Sequence, residues 1–232
     1  MPVLLAVDSS TETMALALVT PGQTAVFEAQ GGAQASARML PEIKALLAGA
    51  GLKMADLDAI AFGQGPGAFT GLRTACAVAQ GLAFGLAKPV LAVDSLMLVA
   101  GDARTQGAGD DIWVAMDARI GEIYAARYRW ADGAWAVADA PALYKPEALA
   151  AHWGRPAAVA GTALAEYAAA LGELPATVWP QARSRAQALA ALALAAWQRG
   201  EGRDAAEALP VYVRDKVALT TAEREAAREV RP

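Results

Sequence analysis

The chain predicts an α/β fold made of two copies of one module, each ordered βββαβαβα, with mixed sheets that carry helices on both faces. Three observations predict it. Each half opens on three short apolar strands separated by turn residues. Each then alternates segments of helical period with short apolar strands. The first strand of each half also ends in an aspartate, Asp8 and Asp117, which opens a polar turn into the next strand.

In the first half, strands are expected over 3–7, 14–19 and 24–29, joined by the turns Asp8-Ser9-Ser10-Thr11-Glu12-Thr13 and Pro21-Gly22-Gln23. A helix follows over 36–49, where Met39, Leu40, Ile43, Leu46, Leu47 and Ala50 recur at helical spacing. A buried strand over 59–62, a helix over 70–87, a strand over 89–93 and a short helix over 95–104 complete it. Past a glycine-rich break at 101–109, the order returns with strands over 112–116, 122–130 and 134–138. Helices near 146–152 and 164–171, strands over 157–160 and 177–179, and an Ala/Leu helix over 185–199 close the series. The expected organisation is a first lobe over 1–105 and a second, smaller lobe over 106–185. A C-terminal helix and extension over 186–218 are expected to pack back on the lobes. A charged tail without an apolar stripe, 219–232, is expected to be partly helical or disordered.

At 232 residues and 56% hydrophobic composition the chain can bury an adequate core in one large domain or two modest ones. The mean hydropathy of +0.27 raises the question of a membrane span. The best window, 70–87, holds Arg73, Gln80 and three glycines and lacks bulky apolar density, so no span is expected. The N-terminus has no basic region before its apolar run and reads as a strand, not a signal peptide. A single cysteine, Cys76, excludes an internal disulfide, fits a cytoplasmic location and reads as a packed apolar residue. A net charge of −4 repels a nucleic-acid backbone, so any RNA role is indirect or confined to a patch.

The most informative segment is AFGQGPGAFTGLRTACAVAQGLAFGL (61–86), a strand, a glycine-rich turn and a helix. A P-loop needs Gly-Lys-Ser/Thr at the helix start, and this turn has no lysine. The dinucleotide fingerprint needs G-x-G-x-x-G, whereas Gly65, Gly67 and Gly71 are one residue too long and Pro66 lacks an amide donor. A tight strand-to-helix turn remains. The helix itself carries one charge, Arg73, and a succession of small residues (Gly71, Ala75, Ala77, Ala79, Gly81, Ala83, Gly85), so another backbone can approach closely.

The string GPGAFTGLR followed by an Ala/Gly-rich helix resembles the GPGSFTGLR signature of the TsaB family, bacterial tRNA threonylcarbamoyladenosine biosynthesis proteins that are non-catalytic relatives of TsaD. The resemblance is strongest over 4–93 and returns at MDARIGEIYAA (116–126) and LPVYVRDKVA (209–218). It implies duplicated RNase H-like lobes of the actin, sugar kinase and Hsp70 superfamily. It also implies pairing of the first two long helices with those of a TsaD-like catalytic subunit, in an assembly with a TsaE-like ATPase that modifies the adenosine beside the anticodon. On this reading tRNA is met only through the complex, the isolated protein is a homodimer, and the partner-binding residues are Arg38, Met39, Ile43, Leu46, Arg73, Ala77, Gln80, Gly81 and Phe84.

No catalytic side chain, metal or cofactor is expected. TsaD binds a metal through two histidines on its first long helix, but the matching stretch here, GGAQASARMLPEI, has none, and Ala35-Ser36 stand where many relatives have His-Ser. The one histidine, His152, lies near a helix end without the companions a zinc or iron site needs. Ser9, Ser10 and Ser36 have no histidine base near them in sequence. Asp8, Ser9 and Ser10 resemble a degenerate first phosphate loop, and can equally be turn residues bonded to their own backbone. The alternative function is therefore an ATP-dependent small-molecule kinase or ATPase of the same superfamily, with Asp8 and Asp117 on magnesium and phosphate.

Overall fold

The computed structural model describes residues 1–32, 35–175 and 177–214. The expected tail over 219–232 and the end of the extension, 215–218, lie outside them. The first three strands, β1 (Leu4–Asp8), β2 (Thr13–Thr20) and β3 (Gln23–Gln30), form an antiparallel meander. After α1 (Ala35–Gly49) the chain returns as β4 (Ala59–Gly65), runs through α2 (Phe69–Leu86) to β5 (Val90–Asp94), and enters α3 (Ser95–Thr105). β4 and β5 add in parallel beside β1, giving the order β3-β2-β1-β4-β5.

The second sheet repeats this plan. β6 (Asp111–Arg119), β7 (Glu122–Ala131) and β8 (Ala134–Tyr144) form its meander, and β9 (Val159–Ala160) and β10 (Val178–Trp179) add in parallel, in the order β10-β9-β6-β7-β8. Between them lie α4 (Pro146–Trp153), α5 (Ala163–Glu166) and α6 (Ala168–Leu171). The helix expected over 164–171 is thus two short helices, broken at Tyr167, whose φ of −118° leaves the helical region while its hydroxyl donates to Asp117. The strand expected over 134–138 extends to Tyr144, paired along β7.

Period-two alternation along β1 and β2 places two cores on opposite faces of one sheet. Leu5, Val7, Leu16 and Leu18 pack with Met39, Ile43, Ala75 and Ala79 of α1 and α2. Leu4, Ala6, Ala15 and Ala17 pack instead against Ala186, Leu189, Ala190 and Ala193 of α7 (Arg185–Gln198). Alanine on both sides lets the helix lie close to the strands. The closing helix therefore covers the first sheet, while α3 covers the second, packing Leu96, Val99, Ala100 and Ala103 on Ile112, Val114, Ala126 and Tyr128. This exchange of helices joins the two lobes along their rear. No helix among the described residues is long and apolar enough to cross a membrane.

Candidate functional site

Asp8 lies at the end of β1 with no exposed surface, and its partners show what the glycine-rich segment is for. One carboxylate oxygen accepts from the Arg185 guanidinium at 3.0 Å and from Ser10 Oγ at 2.9 Å; the other accepts from Ser95 Oγ at 3.0 Å. Ser95 Oγ in turn accepts from the Gly65 amide. Ser9 Oγ donates to Gly71 O at 2.8 Å, and Ser10 O accepts from the Ala68 amide at 2.7 Å. A Cβ on Gly63 would lie 1.9 Å from the Asp8 carboxylate, and one on Gly67 or Gly71 would lie 2.4 Å or 1.7 Å from the carbonyls of Ser10 or Ser9. These glycines let the start of α2 close over the β1–β2 turn. Of the residues expected in a degenerate phosphate loop, Asp8 and Ser10 are bonded to Arg185, which has 6% of its surface exposed, and Ser9 is bonded to the α2 backbone.

A cleft of about 680 Å³ separates the lobes, with Ser10, Glu12, Phe69, Leu96, Met116, Asp117 and Arg185 among its walls. On its far side Asp117 accepts from Tyr167 Oη at 2.9 Å and from the Arg119 amide at 2.8 Å, and its own amide donates to Thr162 Oγ1. Burial and the bond to Asp117 raise the Tyr167 hydroxyl above its ordinary value. His152 stacks on Tyr144 and sits 3.4 Å from Asp139. Among the described residues no group of three or more His, Cys, Asp or Glu is placed to hold a metal ion. Cys76 is buried in the first core, and burial, with the Asp8 charge nearby, pushes its thiol up to about 12.

The second candidate is the outer face of α1 and α2. Along α2, Gly71, Leu72, Ala75, Cys76, Ala79 and Ala83 are buried, while Arg73, Ala77, Gly81, Phe84 and Gly85 face outward, and Phe84 is 82% exposed. The two groups of glycines differ: among the described residues a Cβ on Gly81 or Gly85 meets nothing within 4 Å, so their packing gives no reason for glycine there. Glycine in a helix interior costs about 1 kcal/mol relative to alanine. The exposed stripe is therefore a flat, weakly polar surface with one large aromatic standing on it.

Not every expected surface residue reaches this face. Met39 and Ile43 have no exposed surface and form, with Ala35 and Leu47, the inward stripe of α1 at four-residue spacing. They are core residues, because the periodicity that marks a helix marks the side turned to its own sheet. Leu46 is half-buried against the same core, and Gln80 donates its amide to Ala205 O at 3.2 Å. Arg38 pairs with Glu42 on the helix flank, and Arg73 lies over the Phe69 ring at 3.8 Å while donating to Tyr212 Oη. Leu40, 41% exposed on α1, belongs to the outer face and was missed, since in sequence it sits among residues of the inward stripe.

The family model described as TsaD, tRNA N6-adenosine threonylcarbamoyltransferase, matches residues 16–227. A protein of Escherichia coli K12 named tRNA threonylcarbamoyladenosine biosynthesis protein TsaB is 36% identical over 62% of this chain and 63% of its own length. The Haemophilus influenzae protein of the same name is 40% identical over 52% of this chain and 51% of its own. The chain thus spans between half and two thirds of these relatives. A solved Pseudomonas aeruginosa structure, described as similar to the peptidase YeaZ, superposes with a TM-score of 0.85 at 39% identity, covering 92% of this chain and all of the other.

Proposed function

Since the chain belongs to the TsaD family, on its TsaB (YeaZ) branch, we propose that it is a non-catalytic subunit of tRNA threonylcarbamoyladenosine biosynthesis that binds and orders a TsaD-like catalytic subunit. The observation that carries this reading is the exposed stripe of Ala77, Gly81, Phe84 and Gly85 on α2, whose glycines serve no contact among the described residues. Small residues let a second helix approach to backbone distance, and an aromatic anchor beside them supplies the apolar area that an interface centre needs. A TsaE-like ATPase completes the assembly, tRNA is met through the complex, and the work is done in the cytoplasm. Without the catalytic subunit the same stripe pairs with its copy in a homodimer.

The kinase alternative needs Asp8 free to manage a phosphate-bound magnesium. Its carboxylate is engaged by Arg185, Ser10 and Ser95, and the adjoining turn is filled by the start of α2, which supports the scaffold reading instead. The test is co-purification with the TsaD-like subunit of the same organism. Ala77→Arg and Gly81→Arg, both on open surface, should leave the fold intact and abolish the complex, because a close helix contact cannot desolvate an unpaired guanidinium. A folded variant that still binds with parental affinity would overturn the docking face.

A further inference from the structure

We propose that the segment over 209–214 is a clasp that sets the width of the inter-lobe cleft at its mouth, with Arg214 as its latch on the second lobe. The lobes are fused at the rear, where Asp94 caps α3 through the amides of Leu96 and Met97 and also accepts from Tyr128 Oη on β7 at 2.6 Å. At the mouth, a Glu12–Arg119 ion pair crosses the gap between two largely exposed side chains, where solvent leaves such a pair little strength. The C-terminal segment crosses there too. Its first end is held on the first lobe: the Val211 amide donates to Gln64 O at 2.7 Å, and the Tyr212 ring stacks on Phe69 with centroids 5.0 Å apart while its hydroxyl accepts from Arg73.

Its second end reaches the β6–β7 turn. Arg214 donates to the carbonyls of Ala118 at 3.0 Å and Arg119 at 3.2 Å and pairs with Glu122 at 2.6 Å, so one guanidinium grips both sides of the turn. The grip has a reason. Arg119, Ile120 and Gly121 follow one another at φ of +64°, +56° and +67°, and a β-branched residue such as Ile120 resists that conformation. Such a turn persists where its surroundings hold it: Asp117 does so from within, through the Arg119 amide, and Arg214 does so from the C-terminal segment. Latch and catch are thus coupled: releasing Arg214 loosens the hold of the described segment on the second lobe and removes one restraint on the turn that forms that wall of the cleft. This gives the VYVR motif a role that a docking face on α1 and α2 leaves unassigned, and it holds whichever partner that face takes.

Hydrogen exchange on the full chain, read by mass spectrometry, tests the clasp in Arg214→Gln and in Tyr212→Phe, the second deleting only the hydrogen bond to Arg73. The clasp predicts that Arg214→Gln speeds exchange about tenfold in both walls of the mouth, 10–13 and 117–122, with β1 unchanged, and that Tyr212→Phe produces a smaller rise in the same two segments. A rise confined to 117–122 and the segment itself would overturn it, showing local packing alone. If Arg214→Gln unfolds the protein, the decision rests on Tyr212→Phe, whose failure to move 10–13 would overturn it equally.

Discussion

Asp8 is a carboxylate at the end of an otherwise apolar strand, and it is held there by Arg185, from the far end of the chain. Removing one member of a buried pair leaves the other charged and unpaired, which costs about 3–5 kcal/mol, against about 1 kcal/mol for a lost turn hydrogen bond. Asp8→Ala should therefore lower the unfolding free energy by the larger amount, read as a lower urea midpoint with m unchanged, and Asp8→Ala combined with Arg185→Met should recover much of the loss. A cost near the smaller figure would show that the pair is not closed in solution. Cys76 makes a pH prediction. Burial holds its thiol at about 12 in the fold, above the ordinary thiol value of 9.0, so the folded state keeps a proton that the unfolded chain releases first. Its contribution is fully present below the unfolded value and is lost as pH rises from 9 toward 12. The alkaline fall in stability over that window should be shallower in Cys76→Ala, and iodoacetamide should label the parent only on unfolding.

At the scale of elements, α2 has two faces with opposite demands on glycine. Its first turn needs Gly71 for contact with Ser9, while a Cβ on Gly81 would meet nothing among the described residues. Gly81→Ala should accordingly stabilise the isolated chain by about 0.5–1 kcal/mol in thermal unfolding, through helix propensity and a less flexible unfolded chain. A loss of stability would place Gly81 in a contact of the chain itself. The order of strands and helices was legible in the sequence because alternation and helical period act locally, and β1 to α3 lie close to where those patterns put them. Two features were not legible. Met39 and Ile43, expected at the partner face from the family resemblance, lie in the core, because neither that resemblance nor helical period says which side of α1 meets its own sheet. The break at Tyr167 depends on its bond to Asp117, fifty residues away in sequence, which no local pattern carries.

At the scale of the molecule, two copies of one sheet plan exchange their covering helices, α7 over the first sheet and α3 over the second. The duplication could be read from the repeated aspartate and the repeated order of elements; the exchange could not, since alanine-rich α7 carries no mark of which sheet it will cover. So too with the candidate site: the small residues of α2 were visible as a group, but only the fold separates those that close over Ser9 and Ser10 from those that face outward. The proposed function has this chain contribute a surface to tRNA modification and no reacting group. The most direct measurement is the rate of threonylcarbamoyladenosine formation in a mixture reconstituted with the TsaD-like and TsaE-like subunits, comparing Asp117→Ala with Gly81→Arg. The account predicts that Asp117→Ala stays within a few-fold of the parent and that Gly81→Arg loses about a hundredfold or more, because no transition-state charge rests on Asp117 while the docking face cannot close over a guanidinium. The reverse pattern, a folded Asp117→Ala that still assembles yet loses about a thousandfold beside an active Gly81→Arg, would contradict it and place this chain in the chemistry.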